Sequence, residues 1–95
     1  MVINMSVYDN KRRSVLTREL NVLFNKLVNN IEAYYDKELV LNSEGMKLLL
    51  RTIKIALLLY PELKPLIVKV RSNPSYEMIT KFVNKIKELN DVNSM

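Results

Sequence analysis

The chain has 95 residues, of which 48% are hydrophobic and 26% are charged, and its formal net charge at neutral pH is +5. This composition is typical of one folded domain, because a disordered chain of this length would carry fewer apolar residues. The sequence contains no cysteine and no histidine, which excludes disulfides, thiolate metal ligands and the commonest general acid–base group of enzymes.

The first predicted element is a long amphipathic helix that begins between residues 9 and 14 and ends near Asp36. Its apolar residues recur at steps of three and four, the spacing of a helix with one buried face. At about 1.5 Å per residue it would be roughly 35–40 Å long, so one end should project from a domain this small. Residues 1–8 form a predicted N-terminal arm, and the alternation in residues 2–8 would also suit a β-strand.

The second predicted helix begins after Asn42, whose side chain can accept a hydrogen bond from a free backbone N–H at the helix start. Gly45, the only glycine in the chain, falls in the first turn, where we expect it to be tolerated at little cost. Pro61 ends the helix because proline lacks a backbone N–H and disfavours α geometry in the residue before it.

The second helix carries more apolar surface than one buried stripe requires. Leu48, Ile55 and Leu59 form an additional apolar row, and burying each of these side chains is worth roughly 1.5–3 kcal/mol. The row should therefore be covered, either by the other helices of the chain or by another protein. In the second case these three residues are the predicted protein-partner site.

Two more helices are predicted in the C-terminal part. Apolar spacing predicts a short helix over residues 62–71, although the β-branched residues within 66–70 would also suit a strand. Asn73 followed by Pro74 predicts the start of a last helix, which runs to about Asn90 and leaves residues 91–95 as a frayed tail. The predicted fold is an all-α single domain over residues 1–95, a small four-helix bundle with one long N-terminal helix.

The sequence carries no recognisable catalytic, nucleotide-binding or metal-binding motif. One glycine cannot build a phosphate-binding loop, and the carboxylates are scattered among basic residues. We therefore expect a protein that is not an enzyme, with no catalytic residue, cofactor, metal ion or small-molecule substrate. No apolar run reaches the ~18 residues of a membrane span and the N-terminus lacks the order of a signal peptide, so we expect an intracellular, cytoplasmic protein with no membrane partner.

Basic residues fall into two groups along the chain. One group lies at the start of the first helix, where the helix dipole disfavours cations, and the other follows one edge of the second helix. With the positive net charge they predict attraction to nucleic acid, whereas the alternative is a solvated surface on which long side chains lie over apolar neighbours. The predicted nucleic-acid contacts are Lys11, Arg12, Arg13, Arg18, Lys47, Arg51 and Lys54.

Three kinds of function agree with these patterns. The one we favour is an accessory subunit that docks on a larger protein in a nucleic-acid-processing assembly of replication or transcription, supported by the additional apolar row, by a minor row of Val15, Val22 and Ala33, and by the positive charge. The alternative is a homodimeric DNA-binding regulator. It would be of helix-turn-helix type, using residues 62–71, or of ribbon-helix-helix type, using residues 2–8. The third is a self-assembling structural protein whose charge is incidental.

Overall fold

The structure is a computed structural model that describes the backbone of residues 2–94 and the side chains of residues 11–91. Residues 2–94 form five α-helices, and a 3₁₀ turn, Pro61–Leu63, connects the third to the fourth. Isolated β-bridges occur in this range, but no longer strand. The predicted all-α fold class is therefore confirmed, whereas the finer description as a four-helix bundle stays a prediction. The helices are α1 Val2–Asn29, α2 Ile31–Tyr34, α3 Ser43–Leu59, α4 Lys64–Ser72 and α5 Tyr76–Ser94.

The long N-terminal helix is present, but its limits differ from the predicted ones. α1 begins at Val2, so residues 2–8 are neither an irregular arm nor a strand. It ends at Asn29, because Asn30 leaves helical geometry with φ −129° and ψ 59°, and α2 is a separate turn. The Asn30 amide donates a hydrogen bond of 3.3 Å to the Lys26 carbonyl. Such local bonds give asparagine an alternative to continuing a helix.

The C-terminal helices follow the prediction except at their ends. Residues 66–70 are helical and lie within α4, which excludes the strand alternative. α5 begins at Tyr76 and not beside Pro74, since the Ser75 hydroxyl accepts a hydrogen bond of 3.2 Å from the Met78 N–H and so caps the helix. At the other end, residues 91–94 of the predicted frayed tail belong to α5, while Met95 lies outside the described residues.

The buried apolar residues of all the longer helices form one hydrophobic cluster. Its aromatic centre is the pair Phe24 and Phe82, whose rings meet edge to face with centroids 6.2 Å apart. Every buried side-chain nitrogen or oxygen in the described part of the chain has a hydrogen-bond partner. Among the least exposed side chains are Leu20, Leu27, Leu49, Thr52, Val70, Ile79 and Phe82.

The start of α3 is bonded tightly to α2. Asn42 is the predicted N-cap: its Oδ1 accepts a bond of 2.9 Å from the Gly45 N–H, and its Nδ2 donates one of 3.0 Å to the Ala33 carbonyl. The sequence analysis expects glycine to be tolerated at position 45, and the structure adds a reason for glycine there. A Cβ at this position would collide with the carbonyl oxygen of Tyr34 and lie 2.6 Å from Cδ2 of Leu41, so only glycine permits this approach of α3 to α2.

Replacing Gly45 with alanine should destabilise the protein, although alanine is the better helix former. The methyl group must push either the Tyr34 carbonyl or the Leu41 side chain aside, at a cost of about 1–3 kcal/mol. Urea denaturation followed by circular dichroism measures this loss. Ser43→Ala is the matched control, since Ser43 is exposed in the same turn and should change stability by less than about 0.5 kcal/mol. Equal stability of the two variants would contradict the prediction.

Two tyrosine hydroxyls satisfy carbonyl groups in the last turn of α1. The buried Tyr35 hydroxyl donates a bond of 2.8 Å to the Leu27 carbonyl, and the Tyr76 hydroxyl donates one of 3.1 Å to the Val28 carbonyl. The two rings meet edge to face with centroids 5.4 Å apart. Burial, and to a lesser extent the neighbouring Tyr76, raises the pKa of Tyr35, because an ionised phenolate there would lose its hydration.

This raised pKa gives stability a specific dependence on pH. The unfolded Tyr35 ionises near pH 10 while the folded one stays protonated, so its contribution is complete below about pH 10 and is lost as the pH rises further. The stability advantage of the wild type over Tyr35→Phe should therefore shrink above pH 10, by up to about 1.4 kcal/mol per pH unit. Urea denaturation at a series of pH values tests this, and parallel pH profiles for the two proteins would contradict it.

Candidate nucleic-acid interface

α1 and α3 lie side by side in antiparallel orientation. Arg13 of α1 donates a hydrogen bond of 3.2 Å to the carbonyl of Leu59 at the end of α3. Six residues further along α1, the Glu19 carboxylate lies 3.1 Å from the Arg51 guanidinium, nearer the start of α3. Since the α3 partners run backwards as the α1 residues advance, the two helices point in opposite directions.

The structure covers the predicted protein-partner row with other parts of the same chain. Ile55 is 7% exposed and Leu59 is 6% exposed, and Leu48 packs partly buried against the core. Of the two covers that the sequence allows, the structure favours the chain's own helices, which leave little of this row for another protein to contact. The physical reason is the position of α3, which contacts α1, α2 and the 3₁₀ turn and so needs apolar residues on more than one side.

Six of the seven predicted nucleic-acid contacts are exposed, and they lie on the outer surface of the α1–α3 pair. On α1, Lys11 and Arg18 are separated by seven residues, as are Lys47 and Lys54 on α3, and this separation places both members on one side of a helix. The Glu19–Arg51 ion pair joins the two helices that carry these edges. We call this surface the basic face; its residues are Lys11, Arg12, Arg18, Lys47, Arg51 and Lys54.

Arg13, the seventh predicted contact, is used by the fold itself. Its side chain is half-buried, with the guanidinium carbon 5.2 Å from the centre of the Tyr60 ring and one N–H bonded to the Leu59 carbonyl. The charge therefore compensates the negative end of the α3 dipole and stacks on an aromatic face. Arg13 connects α1 to the end of α3 and is not part of the basic face.

Two carboxylates lie beside the cations of the basic face. Glu19 pairs with Arg51, and Glu44 pairs with Lys47 at 3.4 Å. In both pairs the side chains stay well exposed, so the ion pairs are solvated and weak. They leave the positive potential of the face largely available to a ligand, because water and salt screen each pair more than they screen a close phosphate contact.

Three apolar side chains also lie on this surface. Val15, Val22 and Leu58 are 57%, 51% and 61% exposed, and they continue the helical spacing of the cations. Leu58 borders a shallow cavity of about 310 Å³ whose other lining residues include Arg12 and Leu16. The sequence analysis did not assign Leu58 to any site; the signal was its position four residues after Lys54, on the basic edge of α3.

Within the described residues, no three potential metal ligands of the types His, Cys, Asp and Glu lie together. No helix in that part of the chain is long and apolar enough to cross a membrane. Comparisons with protein-family models, with curated proteins and with solved structures found no match to this chain.

Proposed function

We propose that this protein is a non-enzymatic module that binds nucleic acid by its phosphate backbone through the basic face. The observation that supports the proposal is that six exposed cations lie on α1 and α3, two helices that pack side by side and are joined by the Glu19–Arg51 ion pair. Contacts from lysine and arginine to phosphates release bound counterions, which is the main source of sequence-independent affinity for nucleic acid.

We also propose that the protein serves as an accessory subunit in an assembly of replication or transcription. Of the two regulator alternatives, the ribbon-helix-helix type has no support from the fold, because residues 2–8 are helical and supply no strand. A helix-turn-helix use of α4 stays a prediction. DNA binding by α4 would use Lys69 and Arg71, which are exposed on that helix. Variants at these two residues therefore distinguish DNA binding by α4 from DNA binding by the basic face.

Neutralising the basic face should abolish most of the affinity for nucleic acid. The test variant carries Lys11→Gln, Arg18→Gln and Lys54→Gln, and its affinity for a mixed-sequence DNA is measured by fluorescence polarisation at salt concentrations from about 50 to 200 mM. With six phosphate contacts, the wild type should lose about a thousandfold in affinity over this range. The variant should lose only about fortyfold, and at about 50 mM salt it should bind at least about tenfold more weakly.

The matched control removes the same charges elsewhere: Lys69→Gln, Arg71→Gln and Lys85→Gln, all at exposed positions of α4 and α5. It should retain wild-type affinity within about threefold, because screening limits the reach of distant charges. A loss of affinity in the control but not in the test variant would favour the helix-turn-helix alternative. Wild-type binding that does not weaken with added salt would contradict any phosphate-based function.

A second candidate is docking on another protein, which the exposed apolar residues of the basic face favour. Val15, Val22 and Leu58 are each more than half exposed, and apolar side chains beside arginine are common at protein interfaces. These residues replace the buried row as the site of a proposed protein contact, and the partner would carry acidic residues around an apolar centre.

Replacing Leu58 with serine should release such a partner without removing a charge. The measurement is co-purification from nuclease-treated native lysate, so that nucleic acid cannot bridge the proteins. Val68→Ser on α4 is the matched control, since Val68 is 57% exposed. A partner that is retained by the control and lost by Leu58→Ser is expected if the protein docks by this surface; equal retention by both variants would contradict docking there.

A further inference from the structure

The described aromatic side chains are buried or half-buried, and none of them is fully exposed. Proteins that bind single strands use exposed aromatic rings to stack on bases, at about 1–3 kcal/mol per base. The exposed apolar side chains of the basic face are instead aliphatic: Val15, Val22 and Leu58. Tyr8 is the one aromatic residue whose side chain is not described, and one ring can stack on only one base. The aromatic residues that are buried or half-buried are Phe24, Tyr34, Tyr35, Tyr60, Tyr76 and Phe82.

The cations form two rows, one on each helix. The axes of packed helices are about 8–10 Å apart. The α1 row runs from Lys11 to Arg18 and the α3 row from Lys47 to Lys54, and each row is about 10 Å long. A single strand has one line of phosphates, whereas a duplex has two, which border a groove about 6 Å wide on the minor side and about 12 Å wide on the major side of B-form DNA. Two rows of exposed cations, one on each of two packed helices, can therefore contact two lines of phosphates.

From these observations we infer that the basic face binds double-helical nucleic acid in preference to single strands, with α1 and α3 each contacting one phosphate backbone across a groove. The inference depends on the proposed nucleic-acid function. Because Glu19 lies opposite Arg51, the two rows overlap along the helix axes and span roughly 18 Å from Lys11 to Lys47. At 3.4 Å per phosphate, each row of about 10 Å covers about three phosphates of the strand that it contacts.

The test compares labelled probes of one mixed sequence, about 16 nucleotides long and so longer than the contact length: a DNA duplex, an RNA duplex and a DNA single strand. Fluorescence polarisation gives the dissociation constant of each. We expect at least tenfold tighter binding of one or both duplexes than of the single strand, and the two duplex probes show whether the B-form or the A-form backbone is preferred. A duplex also attracts cations more strongly simply because its charge density is higher. An oligolysine peptide of equal charge is the control for this effect, and the protein should prefer duplex over single strand by a larger factor than the peptide does.

Removing either row alone should abolish the excess preference. Lys11→Gln with Arg18→Gln removes cations of the α1 row, and Lys47→Gln with Lys54→Gln removes cations of the α3 row. Each double variant is expected to show the same duplex-to-single-strand ratio as oligolysine. Single-strand binding equal to or tighter than duplex binding by the wild type would overturn the inference and leave the nucleic-acid function standing. Failure to bind any of the three probes would instead contradict the proposed function.

Discussion

Burial of α3 on most of its circumference is the constraint on which the rest of the structure depends. Leu49 and Ala56 are completely buried in the core, and Ile55 and Leu59 are nearly so. A helix held in this way has one edge left for water, and the sequence places Lys47, Arg51, Lys54 and Leu58 there. Hydrophobic packing therefore determines where the charges lie, because rotating α3 to hide this edge would bury three cations without partners at a cost of several kcal/mol each.

Contacts at both ends of the α1–α3 pair fix how the two helices are aligned. At the start of α3, Gly45 lets the helix approach the Tyr34 carbonyl, and the Asn42 side chain bonds to both sides of the junction. At its end, Arg13 is bonded to the last turn and stacks on Tyr60. Since both ends are held, the outer edges of the two helices keep one relative position, and the basic face is a property of the fold and not of flexible side chains alone.

Much of the fold could be predicted from the sequence, since helical spacing, the Asn42 cap and Pro61 are local signals. The break at Asn30 was missed because Ile31 and Tyr34 continue the apolar spacing of α1. The need for glycine at position 45 and the use of Arg13 by the fold both arise from residues distant in the sequence, which periodicity does not report. The row of Leu48, Ile55 and Leu59 shows the same limit: a pattern shows that side chains are apolar but not which neighbours cover them.

The carboxylates of Glu19 and Glu44 also affect how a phosphate backbone would bind to the basic face and leave it. They pair with Lys47 and Arg51 in exposed ion pairs, which restrain these two side chains only weakly. They also repel the same phosphates at close range. For the proposed function, weak ion pairs and this repulsion would favour rapid release from each site and movement along the nucleic acid.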